Sequence, residues 1–263
     1  MTLTLPLDLL ERGHVRADLD GRVLQVTLDR PDARNAQTPA TWAALAALGQ
    51  ACAGGDVDIV IFRGAGSAFS SGLDRRMFTA EGIPGQASLA AMATMPDGEL
   101  ADLIAEFQSA FIWQRESPAL TVAAVHGPAI GAGFQLALAC DMLLATPDAS
   151  FAMRETSYGL VPDLAGTQPL VQAVGYARAV DICATGRQVS GDEGFRLGFV
   201  TRVVDDLDAG IAEVVESIRS APPGAVTALL PLLQRAESSS RTEQALAERV
   251  AQVGRLRALL GSG

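Results

Sequence analysis

The sequence predicts an α/β fold, and two observations carry that expectation. A strand–strand–helix rhythm recurs at Val15–Ala53, Val57–Gly72 and Val122–Cys140, the alternation that builds sheets covered by helices. From Asp205 to Leu260 the pattern changes to helices alone, broken at Pro222-Pro223-Gly224 and Ser238-Ser239-Ser240. The chain has 263 residues, 49% of them hydrophobic, which is enough for one large core with an appendage. We therefore divide it into a core, residues 1–204, and a C-terminal helical region, residues 205–263.

The elements follow in order. Residues 1–13 show no clear pattern and read as a loosely held arm. Val15 to Asp29 alternates about Asp20-Gly21, which predicts a β-hairpin. Thr38-Pro39 suit the cap and first turn of a helix running to about Ala53, stopped by Gly54-Gly55. Val57–Phe62 is a short buried strand, followed by a glycine-bearing loop, residues 63–74. Residues 79–98 lack a firm period and read as a mobile segment with one short helix. Leu100, Leu103, Ile104, Phe107 and Phe111 space a helix over Glu99–Arg115, ended by Ser117-Pro118. Further strands are expected at Val122–Val125, Met142–Ala145, Ser150–Met153 and Val203-Val204, with helices at Thr167–Val174 and Tyr176–Thr185.

Composition removes several function classes. The formal net charge is −10, whereas a nucleic-acid partner calls for a basic surface. No apolar run reaches membrane-spanning length, and the N-terminus lacks a basic stretch followed by an apolar one. A soluble cytoplasmic protein is expected. Cys52, Cys140 and Cys183 are far apart and odd in number, so they read as reduced thiols rather than a disulfide frame or a metal site. All twenty basic residues are arginine. Lysine Schiff-base chemistry is thereby excluded, and any basic side chain that meets a phosphate must be Arg.

The chemistry concentrates between Val122 and Leu170. A buried strand, Val122–Val125, passes through His126-Gly127-Pro128 and Gly131-Ala132-Gly133 straight into an apolar segment, Phe134–Cys140, with no polar cap. A helix entered through glycines leaves backbone N–H groups unpaired at its start. With the helix dipole behind them, they suit an oxygen that is gaining negative charge. Gly159-Leu160-Val161-Pro162-Asp163-Leu164-Ala165-Gly166-Thr167-Gln168 follows. This stretch, together with Gly64 to Asp74 before it and Thr185 to Val200 after it, resembles the crotonase (enoyl-CoA hydratase/isomerase) family.

The resemblance implies a crotonase-like spiral of β-β-α units whose C-terminal helices serve oligomerisation, in a homotrimer or a dimer of trimers. It implies an acyl-CoA thioester substrate, with coenzyme A entering as part of that substrate and no separate cofactor or metal. The backbone N–H groups of Leu73 and Ala132 would hold the thioester oxygen of an enolate; family members usually have Gly where Ala132 stands. Arg34, Ala36, Ser71, Asp74, Arg75 and Arg76 fall in the two loops that approach CoA in the family. Taken alone, those arginines are also explained by solvation, and Asp74 by binding loop N–H groups. His126 would support its turn. Met77, Phe78, Met92 and Met95 stand where the family shapes its acyl pocket, or are ordinary packing.

Two positions bear on the reaction. Family hydratases carry two glutamates, because water must lose a proton while the α-carbon gains one. The later one aligns with Glu155, but the earlier one aligns with Gln135, twenty residues before it. An amide holds a water or a substrate oxygen and cannot shuttle a proton. Moving a double bond from the 3- to the 2-position needs only one carboxylate, so Gln135 with Glu155 favours an isomerase. A hydratase using Gln135 and Glu155 is the alternative, and a CoA-thioester-binding subunit without chemistry of its own is a third. By itself Glu155 reads as a carboxylate at a strand end, paired with Arg154. Asp163 is a second candidate base, or turn chemistry beside Pro162.

Overall fold

The computed structural model describes residues 3–261. The expected loose arm contains a helix, α1 (Leu7–Gly13), that packs on the later α2 through buried Leu10; Met1 and Thr2 lie outside the described residues. Its amphipathic stretch is under two turns long, too short to announce itself as a periodic pattern. The hairpin is β1 (Val15–Asp20) and β2 (Val23–Leu28), with Asp20 opposite Val23 across a two-residue turn. Next, α2 (Pro39–Cys52) begins at Thr38, whose hydroxyl accepts the Thr41 N–H while the Thr41 hydroxyl accepts the Thr38 N–H. That reciprocal cap settles where the helix starts.

β3 (Ile59–Gly64) leads to the glycine loop. After it come the short α3 (Leu89–Met92), the one short helix expected within residues 79–98, and α4 (Asp97–Glu116). β4 (Leu120–Val125) is buried at every position, as a central parallel strand covered on both faces must be. A three-residue strand that the sequence did not announce, β5 (Pro128–Ile130), follows at once, and then α5 (Ala132–Ala139). All eight residues of α5 are buried, which is why its stretch shows no amphipathic period.

β6 (Met142–Ala145) and β7 (Ser150–Ala152) repeat the arrangement. Helices α6 (Thr167–Val174) and α7 (Tyr176–Thr185) come next, followed by β8 (Val189–Ser190), α8 (Gly191–Leu197) and β9 (Arg202–Val203). The large sheet has the order β1-β2-β3-β4-β6-β9 and is parallel beyond its hairpin. A small sheet, β5-β7-β8, lies apart from it. Successive turns of the chain thus give one strand to each sheet: β4 then β5, β6 then β7. This is the α/β spiral of strand–strand–helix units. Helices α9 (Leu207–Arg219), α10 (Ala225–Ala236) and α11 (Arg241–Leu259) close the chain at the breaks read from sequence. Among the described residues no helix is long and apolar enough to cross a membrane.

Candidate active site

The glycine loops meet where the two sheets diverge. Ser70 pairs with Ala129: the Ser70 N–H donates to Pro128 O at 3.0 Å and the Ile130 N–H to Ser70 O at 2.9 Å. A Cβ placed on Gly72 would lie 2.4 Å from Ile130 O and 3.5 Å from Ala132 N. Only glycine permits this approach, and it brings the start of α5 against the loop that carries Leu73.

Both candidate donors are left free by the local backbone. Gln37 bridges to the Leu73 loop through Gly72 O, at 2.7 Å, and the Asp74 N–H, at 2.9 Å. In an extended chain successive N–H groups alternate sides, so the Leu73 N–H faces away from Gln37. Ala132 is the first residue of α5, where no intrahelical acceptor exists, and Gly131 before it supplies no cap. Gly131 turns the chain with φ +52° and ψ −119°, a conformation reserved for glycine. Among the described residues neither N–H has a protein acceptor. Both line a cleft of about 720 Å³.

That cleft gathers every catalytic and CoA-binding residue expected from sequence. Glu155, Gln135 and Asp163 line it with Leu73 and Ala132, and so do Arg34, Ala36, Ser71, Asp74, Arg75 and Arg76. Glu155 opens a 3-10 turn, Glu155–Tyr158, just after β7. Its Oε1 accepts a 2.7 Å bond from Gln135 Nε2, and its Oε2 is buried with no protein donor. Burial pushes the Glu155 carboxyl above the usual carboxylate range, hydrogen bonds including that from Gln135 oppose the rise, and the nearby Asp163 charge adds to it. The expected pairing with Arg154 is not formed. The Arg154 guanidinium donates instead to Gly186 O at 3.1 Å, because the 3-10 turn points Glu155 inward and leaves Arg154 outside.

Gln135 is 1% exposed. Its Oε1 accepts the N–H groups of Leu164, at 2.9 Å, and Gly166, at 3.2 Å. Both lone pairs of that oxygen are thereby used, so it has none to offer a water. Asp163 stands in this anchored loop with much of its surface exposed, and the partial cover over its carboxyl pushes it up as well.

Asp74 does more than bind a loop N–H. It accepts the Arg76 backbone N–H at 2.9 Å, and the Arg76 and Arg30 guanidiniums as well. Burial would raise its pKa, but those bonds win and hold it far below the usual range. Arg30 was not singled out from sequence. A carboxylate buried among arginine-bearing loops is the signal that points to it. Arg76 is therefore part of a structural ion pair, whereas Arg34 and Arg75 form no ion pair among the described residues. Ser71 ties the two loops together, with its N–H on Arg34 O at 2.8 Å and its hydroxyl on Ala33 O at 3.2 Å. Of the four candidate pocket residues, Phe78 lines the cleft and faces Tyr158 at 5.3 Å between ring centroids. Met77 and Met92 are buried and Met95 packs against the core, outside the cleft lining. His126 reaches across to the first glycine loop rather than bonding within its own turn, with Nε2 2.8 Å from Gly66 O. No cluster of three or more metal-ligating side chains occurs among the described residues.

Known proteins share this arrangement. The sequence pattern of the enoyl-CoA hydratase/isomerase family matches residues 18–254. The peroxisomal Delta(3,5)-Delta(2,4)-dienoyl-CoA isomerase of Arabidopsis thaliana is 32% identical over 239 residues, 88% of this chain and 84% of that protein. A Mycobacterium tuberculosis protein of enoyl-CoA hydratase designation is 32% identical over 89% of this chain and 86% of its own. A Thermobifida fusca YX protein, also of enoyl-CoA hydratase designation, has been solved with CoA. It superposes with a TM-score of 0.91 at 38% identity, covering 99% of this chain and all of that one. The same protein with acetoacetyl-CoA gives a TM-score of 0.90 at 39% identity, over 98% of this chain and all of that one.

An α/β spiral whose two glycine loops meet at a carboxylate-lined cleft defines the crotonase class. The chain belongs to the enoyl-CoA hydratase/isomerase family, and it is an enzyme of that family.

Proposed function

We propose that this enzyme moves a carbon–carbon double bond within the acyl group of a CoA thioester, by way of an enolate. The Leu73 and Ala132 N–H groups receive the thioester oxygen, and Glu155 takes a proton from one carbon and returns it to another. One such donor is worth a factor of roughly a hundred to a thousand in rate. The observation that carries the reading is the Glu155–Gln135 pair. One carboxylate oxygen is exposed to no protein donor, and its neighbour is an amide whose carbonyl is already spent on backbone. Hydration would ask that neighbour for a second proton transfer. Arg34 and Arg75 serve the CoA phosphates, which supports an acyl-CoA substrate in a chain of net charge −10.

Asp163 supports a finer version. The Arabidopsis relative is named for moving a 3,5-diene to the 2,4-positions. That shift takes a proton from C2 and adds one at C6, so two carboxyl groups spaced along the acyl chain suit it. Glu155 and Asp163 are the carboxylates in the cleft lining that are not tied into an ion pair. The apolar side chains Leu233, Val250, Leu256 and Leu259, exposed on α10 and α11, support burial between copies of the chain, as a trimer or a dimer of trimers.

The test is incubation of 3-enoyl-CoA and 3,5-dienoyl-CoA substrates in deuterated water, with NMR of the product. Wild-type enzyme is expected to shift the double bond and incorporate deuterium. Glu155→Gln is expected to lower turnover by at least about a hundredfold, and an unchanged rate in that variant would remove Glu155 from the reaction. Water addition to crotonyl-CoA faster than any double-bond shift would favour the hydratase.

A further inference from the structure

Two of the three hydrogen bonds made by Gln135 decide which way round its amide lies. The Leu164 and Gly166 backbone N–H groups only donate, so the atom they meet is the carbonyl oxygen. The orientation of this amide therefore does not depend on telling nitrogen from oxygen. The nitrogen must face Glu155, at 2.7 Å. An amide N–H cannot accept, so Glu155 Oε1 is an acceptor whether the carboxyl group is charged or neutral. Its other oxygen, Oε2, is buried and has no protein donor among the described residues.

The same amide holds the second carboxylate. Leu164 and Gly166 flank Ala165, whose φ of +62° is strained for a residue with a Cβ. Asp163 immediately precedes them, and its own carbonyl is held by Gln108 Nε2 at 2.7 Å. Asp163 is thus fixed from both sides, on one of them by the group that orients Glu155.

We infer, resting on the enolate reading above, that Gln135 is a positioning residue. It holds the Glu155 carboxyl by its bond to Oε1 and keeps the Asp163 loop in register with it. In the first step the Glu155 carboxylate takes a proton from an acyl carbon, and the C–H electron pair enters the enolate. In the second the carboxyl proton passes to a different carbon, the enolate electrons form the new C–H bond, and the carboxylate is restored. No oxidant, reductant or co-reactant is consumed.

The groups around Glu155 leave that assignment intact. Glu155 senses the charge of Asp163, and the Cys183 thiol, on α7, senses that of Glu155. Arg154 is turned to Gly186 O, and Tyr158 lies in the same 3-10 turn. None of them donates to Oε2.

The test is a carboxyl ¹³C NMR titration of Glu155 in the full-length protein, assigned by the signal lost in Glu155→Gln. Gln135→Met removes the donor, and the Glu155 midpoint is expected to rise by about one pH unit or more, since burial is then less opposed. Gln135→Glu keeps the size and the acceptor for the loop, so it covers a Met variant that fails to fold. Two carboxyl groups 2.7 Å apart then share one proton and are expected to titrate in two steps separated by about two units or more. A Glu155 titration unchanged in the variants that fold would overturn the inference and reduce Gln135 to packing. Deuterium incorporation is followed in parallel. Shifted titrations with no exchange by the wild type would sink the enolate reading and leave the orientation of Glu155 standing. Exchange with unmoved titrations would do the reverse.

Discussion

Gly131→Ala tests whether the backbone and the base are as tightly fitted as their geometry implies. At φ +52° and ψ −119° an alanine is in a region closed to L side chains, which costs about 1–3 kcal/mol. The stiffer unfolded chain of the variant offsets up to about 1 kcal/mol of that. The second effect is steric. The new Cβ would lie 3.2 Å from Glu155 Oε1 and 3.6 Å from its carboxyl carbon. The nearer contact is tight by a few tenths of an ångström, and the carboxylate must yield, stretching its 2.7 Å bond to Gln135. Since a misplacement of about 1 Å costs roughly a hundredfold in rate, a shift of a few tenths should cost on the order of tenfold. Urea unfolding measures the first effect, and kcat for the double-bond shift measures the second. The expected variant is about 1–2 kcal/mol less stable and about tenfold slower. Unchanged stability would refute the backbone reasoning. Lost stability with full kcat would refute the contact.

Asp74→Asn removes the charge that Arg30 and Arg76 share. Because Asp74 is 4% exposed and Arg30 is largely covered, the loss should be about 2–4 kcal/mol by urea unfolding. The Asp74 pKa is depressed in the fold, so its stabilisation is fully present above the unfolded value, near 4, and disappears as pH falls towards the folded one. Wild type and variant should therefore differ by a constant amount from about pH 5 to 8 and converge below about pH 4; a constant gap at pH 3 would contradict the assignment. Arg75→Ala should weaken CoA thioester binding about three- to tenfold, read by calorimetry, with little change in stability, because no ion pair holds that side chain. Unchanged affinity would free Arg75 from the CoA role.

The sequence was most informative where a local rule forces a local result. Thr38-Pro39 placed α2 because a hydroxyl cap and a proline at the first turn leave few other options. The breaks at Pro222 and Ser238 separated the last three helices for similar reasons. Strand β5 escaped because three residues that pair only with a distant strand carry no period of their own. Helix α1 escaped through shortness. The lining of the cleft was legible as a set of residues, since glycines and carboxylates at fixed spacings mark a backbone that must approach closely. What could not be read was pairing. That Asp74 takes both Arg30 and Arg76, or that Glu155 turns from Arg154 to Gln135, depends on side chains that meet only after folding, across gaps of up to 44 residues. Sequence neighbours such as Arg154 and Glu155 invite an ion pair that a single 3-10 turn prevents.

Three buried or half-buried carboxylates show how differently one chemical group is treated in this fold. Asp74 is neutralised by two guanidiniums. Asp141 forms no ion pair among the described residues, but its Oδ2 accepts both the Thr121 N–H, at 2.8 Å, and the Thr121 hydroxyl, at 2.7 Å. Each is finished, and each ties one segment to another. Glu155 has one oxygen satisfied and the other buried without a protein donor, a defect that costs about 1–3 kcal/mol. A threonine or an N–H aimed at Oε2 would remove that cost, as Thr121 does for Asp141. Such a bond would also favour the charged form of the carboxyl, which under the proposed mechanism weakens it as a base. Of the three, only the carboxylate beside the free N–H groups of Leu73 and Ala132 is left open.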